Sequence, residues 1–284
     1  MKLKFTTVIL SALFLGSSVT SAFADHTDLK SVSGVKTPES VASGPDGRVY
    51  VSEIAEFGKD GDGQVSVVDH DGQLKVFATG MDDPKGLVFV GKDLYVADKT
   101  RVLKIAPDGK WEVFAAAEAF PIKPQFLNDL AADGLGNVYV SDSGDLNKGG
   151  AVFRISKNGK VTTIVDSSNP LVLAPNGLLL GARGTLLEVD FASGVLYSIK
   201  LKTGEMTKVA EGFGGGDGLL RAPGGMLYLS DWKNGRVFSV DKKGNVKQIK
   251  DGFKSAADIG LSPDRKSIIV PDMKAGELVW LPLP

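Results

Sequence analysis

Gly216-Asp217-Gly218-Leu219-Leu220, running on through Gly224-Gly225 to Met226-Leu227-Tyr228-Leu229-Ser230-Asp231, is the stretch that decides the fold. A short aliphatic run opens on an acid and a glycine, a glycine pair turns the chain, and an alternating Leu-Tyr-Leu run closes on an acid. Two antiparallel strands joined by a tight turn read this way. The pattern returns five more times: Glu39 to Glu53, Lys85 to Asp98, Asn128 to Asp142, Asn176 to Asp190 and Asp258 to Asp272. Opening and closing residues stand 14 positions apart in five copies and 13 in the second, and successive openings are separated by 46, 43, 48, 41 and 41 residues. A repeat of about 40 to 50 residues built from short strands predicts an all-β chain folded as a β-propeller, one four-stranded blade per repeat. Six repeats predict six blades.

The rest of each repeat supplies the outer strands. Third strands read Thr100 to Ile105, Gly150 to Ile155 and Gly235 to Val240, followed by turns that end in Asp108-Gly109, Asn158-Gly159 and Lys243-Gly244. Fourth strands such as Lys110 to Phe114 and Val161 to Val165 are more polar, as an outer edge requires. The sixth repeat stops at Pro284, one strand short, while residues 28–35 precede the first repeat and alternate weakly. Pairing the two ends completes that blade, so residues 28–35 are expected to form the outer strand of the last blade and close the ring. Closure removes an edge that invites aggregation.

Length and composition fit this reading. The 284 residues contain no linker after residue 38, which makes 25–284 one propeller domain. Residues 1–24 look like an export signal: Lys2 and Lys4, an apolar run from Val8 to Leu15, and Ala22-Phe23-Ala24 before the cut. The run is too short for a spanning helix. A mature chain starting at Asp25, periplasmic or secreted and without a membrane anchor, is expected. The chain has no cysteine, which excludes disulfides, thiolate catalysis and Cys-based zinc sites. With Lys2 and Lys4 removed, 31 basic residues face 34 acidic ones, a net charge of −3 that gives no reason to bind nucleic acid or anionic lipid. A monomer acting on a small-molecule substrate is expected.

In a propeller the first strand of each blade lines the axis, so the opening residues converge: Glu39, Lys85, Asn128, Asn176, Asp217 and Asp258. Five carry a side-chain oxygen and three are carboxylates, a ring that repels itself unless a cation sits within it. Carboxylates with neutral amide oxygens select a hard ion, and calcium, with its irregular six to eight oxygen ligands, suits such a ring better than octahedral magnesium. Taken singly, Asn-Gly and Asp-Gly are ordinary turn dipeptides; only the shared register argues for a site. The closing acids, present in every copy, read as structural caps for backbone N–H groups at the turn between the second and third strands. Trp232 and Trp280 fall where packing is the default, and Trp111 on an outer strand. Two loops, Ala55 to Gly63 and Ser143 to Gly150, are longer than their turns require; Asp60 and Asp62 sit in the first without the later ligands of a calcium loop.

The quartet of Glu39, Asn128, Asn176 and Asp217, in the stretches Asn128-Asp129, Asn176-Gly177-Leu178 and Asp217-Gly218, resembles that of the senescence marker protein 30/gluconolactonase/luciferin-regenerating-enzyme-like family. Members are six-bladed calcium-dependent propellers, similar also to paraoxonases and diisopropylfluorophosphatase. The resemblance implies one calcium in the central funnel on Glu39, Asn176 and Asp217, with Asn128 contacting substrate or a bridging water. It implies a calcium-dependent hydrolase of the lactonase or esterase type in which Asp217 serves as base or nucleophile. Ser40-Val41-Ala42 replaces the family's Gly-Pro after Glu39, Phe126 stands where sugar-lactone members carry Arg, and no histidine is placed for the funnel: His26 lies near the cut and His70 in an outer turn. These departures point away from a sugar acid lactone and toward an apolar pocket near Phe126, Leu127 and Phe120. Lys85 either holds an anionic group or is a solvated loop lysine. The alternative is a non-catalytic propeller scaffold of the NHL or YVTN kind, or a member that keeps the metal as a structural pin.

Overall fold

The computed structural model describes residues 29–284; the export signal expected at residues 1–24 lies outside them. The six repeats become six antiparallel four-stranded sheets. A short strand, β1 (Ser31–Ser33), comes first; then β2–β5 span residues 38–81, β6–β9 84–115, β10–β13 127–166, β14–β17 175–211 and β18–β21 216–250, each set forming one blade from the axis outward. The sixth blade holds β22 (Gly260–Leu261), β23 (Ser267–Asp272) and β24 (Glu277–Pro282), and β1 completes it. Ser31 pairs with Val279 and Ser33 with Glu277, and the Trp280 N–H donates to the Lys30 carbonyl at 2.9 Å. The expected closure by residues 28–35 is therefore present in its described part. One 3-10 turn, Ala117–Ala119, is the only helical element among the described residues, and none of these forms a helix long and apolar enough to cross a membrane.

Strand character follows position. Second strands such as β3 (Val49–Glu53), β11 (Val138–Asp142) and β19 (Leu227–Asp231) are buried at every residue, whereas fourth strands such as β21 (Val246–Lys250) are half exposed. Alternate side chains of a buried strand face opposite neighbours, so the blade cores lie between blades. Six apolar clusters fill the six interfaces, from Tyr50, Val65 and Val96 between blades 1 and 2 round to Val51, Ile269 and Trp280 between blades 6 and 1. Each fully buried Val, Leu or Phe contributes roughly 1.5–3 kcal/mol, and no disulfide is needed.

The closing acids are structural, with partners beyond those expected. Asp142 accepts the Gln125 and Phe126 N–H groups at 3.0 and 2.7 Å, Asp190 those of Leu173 and Ala174 at 3.1 and 2.7 Å, and Asp272 those of Lys254 and Ser255 at 2.8 and 2.9 Å. Asp98 does the same for Asp82 and Asp83, both at 2.9 Å. Their main work is thus to tie down the segment leading into the first strand of their own blade, just before the opening residue. The turn between second and third strands supplies only additional donors, such as Gly144 to Asp142 and Asn234 to Asp231, both at 3.1 Å.

Candidate active site

Five of the six opening residues line one cavity of about 400 Å³: Glu39, Lys85, Asn128, Asn176 and Asp217. Each follows the residue that pairs with its closing acid, as Pro38 with Glu53, Pro84 with Asp98 and Pro175 with Asp190, so a common register delivers all five to the axis. Asp258 does not join them. In blade 6 the residue paired with Asp272 is Ala256, which gives the opening place to Ala257 and moves Asp258 one position further along. There it stands in the register of Ser40 and Asp129, accepting a short hydrogen bond from Ser40 Oγ. Asp258 and Asp129 line a separate hollow of about 250 Å³.

This second tier is tight. A Cβ on Gly177 would collide with the Asp217 carbonyl and one on Gly218 with the Ile259 backbone nitrogen, so neighbouring first strands approach closely only because those positions lack side chains.

Every member of the quartet presents an oxygen without a partner. Glu39 Oε2, Asn128 Oδ1, Asn176 Oδ1 and Asp217 Oδ1 are buried and accept no hydrogen bond. The orientation of Asn128 is set by its other end: Nδ2 donates to Ser143 Oγ at 3.0 Å, and that hydroxyl donates to the Pro175 carbonyl at 2.7 Å. Buried polar groups are normally satisfied, and four orphans in one cavity mark a place built for something that accepts lone pairs. Two carboxylate and two amide oxygens make a hard donor set, which fits calcium. Among the described residues no three His, Cys, Asp or Glu side chains gather as a metal site, so the set reaches four donors only through its amides.

The electrostatics agree with the donor set. Burial, with the Asp217 and Asp258 charges adding to it, pushes the Glu39 carboxyl well above its ordinary 4.5, while Lys85 opposes the rise. Burial likewise raises Asp217 far above 3.8, with Asp258, Asp129 and Asp231 contributing. Asp258 is pushed up to about 7 by burial, against the pull of its hydrogen bonds with Ser40 and Asp129. Without a positive charge at the axis these carboxyls favour their protonated forms.

The cavity wall is apolar, and most of it was not expected from sequence. Phe126 lines it as anticipated, but Leu127 and Phe120 sit in the core between blades 2 and 3, where Phe120 packs edge-on against Phe153 at 5.1 Å. Ile54, Phe191, Trp232 and Met273 form the remaining wall, each immediately after a closing acid. A large apolar residue at that turn in four of six copies is the signal that could have found them. Trp232 is therefore a cavity residue rather than packing alone, its Nε1 donating to Met273 Sδ at 3.3 Å. The two long loops contribute Phe57 and Leu146 to the rim. Asp60 in the first loop is paired with Lys99, and His70 lies exposed in the turn between β4 (Gly63–Val68) and β5 (Leu74–Met81). A hollow of about 230 Å³ beside Arg48 and Tyr50 is lined by none of the orphan oxygens and is not a comparable site.

Comparison with known proteins places the chain. A curated relative, strictosidine synthase-like 3 of Arabidopsis thaliana, is 27% identical over 192 residues, 56% of this chain, and the chain spans about half (48%) of that relative's length. Among solved structures, a structural-genomics protein designated a candidate gluconolactonase superposes with a TM-score of 0.71 at 18% identity, covering 90% of this chain and 94% of the other. Regucalcin of Agrobacterium tumefaciens, a calcium-binding protein, gives 0.70 at 18% identity over 87% and 90% of the two chains. Virginiamycin B lyase of Staphylococcus aureus gives 0.62 at 17% identity over 86% and 80%. These superpositions establish the shared six-bladed fold and nothing finer. The profile of the SMP-30/gluconolactonase/LRE-like region matches residues 81–251, three fifths of the sequence, and the chain belongs to that family.

Proposed function

We propose that the protein is an exported, calcium-dependent hydrolase of the lactonase or esterase type, working on a substrate with a largely apolar body. The observation that carries this is the set of four orphaned oxygens, from blades 1, 3, 4 and 5, around one apolar cavity. Glu39, Asn176 and Asp217 would hold one calcium, as regucalcin's designation as a calcium-binding protein also suggests for the family. Bound there, the ion supplies Lewis acidity toward a carbonyl oxygen and lowers the pKa of nearby water.

The remaining steps belong to the side chains. Asn128, fixed through Ser143, orients the substrate by hydrogen bonding in the cavity. Asp217 accepts the proton of the water that attacks the carbonyl carbon, and returns it to the departing oxygen as the carbon–oxygen bond breaks, giving an acid and a hydroxyl group. Burial favours the protonated form of Asp217, and a neighbouring positive charge would draw it toward the carboxylate that acts as the base. Trp232, Phe191 and Met273 exclude water from the apolar part of the substrate.

The test has two arms. Protein purified without chelator should carry about one calcium per chain by elemental analysis, and Asp217→Ala should lose it; equal metal in the variant refutes the assignment. A pH-drop assay over aliphatic, aryl and sugar lactones, with and without chelator, then reads turnover. Absence of any chelator-sensitive hydrolysis would leave a binding scaffold or a structural metal as the better description.

A further inference from the structure

Lys85 is the one opening residue with a positive charge. It is 1% exposed, yet it lines the cavity. Its ammonium donates to the Asp83 carbonyl at 3.1 Å and lies 4.2 Å from the Phe126 ring centre. No carboxylate among the described residues comes within ion-pair distance of it. An ammonium has three donors, and this one spends a single donor on the protein. The carboxylates that face it are otherwise engaged or out of reach. Asp83 accepts the Gly58 N–H at 2.9 Å, Asp98 is held by Arg101 and two backbone N–H groups, and Glu39, at the same register of the adjacent blade, belongs to the orphaned quartet and stands beyond ion-pair distance.

A buried, unpaired ammonium is costly, and its retention in a ligand cavity calls for a partner that arrives from solution. Charge balance points the same way. Glu39 and Asp217 on the cavity lining are matched by Lys85 and by Lys233 at the exposed rim, so a divalent cation in the cradle would leave the cavity with an excess of positive charge.

We propose that Lys85 is an anion anchor, and that the substrate is an anionic amphiphile: a lactone or ester whose apolar body lies along Phe126, Trp232 and Met273 and whose acidic group reaches the Lys85 ammonium. This rests on the hydrolase reading for the bond that is cleaved and on Lys85 alone for the charge. Burial depresses the pKa of Lys85, with Asp83, Glu39 and Asp98 opposing, as expected of a cation still short of a counter-charge.

Calorimetric titration of the calcium-saturated protein with 2-naphthoate and with the isosteric neutral 2-naphthamide tests the assignment without any turnover. A charge-assisted contact of this kind should favour the carboxylate by roughly ten- to a hundredfold. Lys85→Met, which keeps the stem against Phe126, should abolish that preference while leaving the amide's affinity within about twofold, with a melting temperature no lower than the wild type's as the folding control. Equal binding of acid and amide by the wild type, or no binding of the carboxylate, overturns the proposal. So does a preference that Lys85→Met retains, since the charge would then be read by the metal cradle. Lactone hydrolysis accompanied by equal binding removes the anchor and leaves the hydrolase reading; charge discrimination without hydrolysis does the reverse.

Discussion

Replacing Glu188 with leucine should make the protein more stable. Glu188 lies in β15 (Thr185–Asp190), two residues before a closing acid, on the face turned toward blade 3. The equivalent residues of the other blades are Val51, Val96, Val140, Leu229 and Val270, all completely buried and apolar. Glu188 is 1% exposed and neither of its carboxyl oxygens has a hydrogen-bond partner. The Asn176 N–H is near enough to favour the charged form but is not aligned for a bond, and burial together with Asp190 pushes the carboxyl well above its ordinary 4.5. Leucine is close in size and would sit in a row between Leu178 and Tyr197. Removing an unpaired buried carboxyl recovers about 2 kcal/mol on protein mutational scales, which for a domain of this size raises the melting temperature by roughly 4–8 °C. The gain has a pH signature. A carboxyl with a raised folded-state pKa favours folding fully below its unfolded value, and that advantage is lost at about 1.4 kcal/mol per pH unit as pH climbs toward the folded value. Calorimetric melting of wild type and Glu188→Leu in excess calcium should therefore show a gap that widens from pH 5 upward. A variant that melts at or below the wild type at pH 7, or a gap that is flat with pH, refutes the reasoning.

Three further outcomes are expected. Asp142→Ala leaves the Gln125, Phe126 and Gly144 N–H groups without their acceptor, costing about 3 kcal/mol and lowering the melting temperature by roughly 6–12 °C; a change under 2 °C would deny the acid its anchoring role. In chelator, the raised Glu39 and Asp217 carboxyls should make stability fall as pH rises from 5 to 8, and calcium at a hundred times its dissociation constant should return about 2.7 kcal/mol; scanning calorimetry with and without the ion reads both, and a calcium-insensitive melt sinks the cradle. Amino-terminal sequencing of the exported protein should begin at Asp25, and a product that still carries Met1 would remove the cleaved signal.

The blade count and the quartet were legible because they repeat. A strand pattern copied six times outweighs any one ambiguous copy, and side chains at one register must meet wherever the copies share an axis. Asp258 was misplaced for a local reason. Its first strand is only two residues long, Gly260–Leu261, and pairing begins from Ala256, one residue earlier than the spacing implies. The closing acids were recognised as structural, but their partners lie some 16 residues earlier, at Phe126 or Ala174, which a local turn motif does not reveal. Ile54, Phe191, Trp232 and Met273 were overlooked because a residue after a strand-ending acid looks like turn, whereas in this ring four of the six such turns place that residue on the funnel. Glu188 passed unremarked since one polar residue in an alternating strand reads as solvent-facing.

The clasp between β1 and β24 bears on how such a molecule is made. Its last blade is assembled from residues 31–33 and 260–282, so the circle cannot seal until both segments have been made. A nascent copy must carry open, unpaired flanks until residues 277–282 emerge, and during that interval the flanks are exposed to strands of other molecules. Deleting residues 31–33 or 277–282 should thus harm assembly yield far more than their few buried contacts suggest, with oligomers joined through swapped strands as the characteristic by-product.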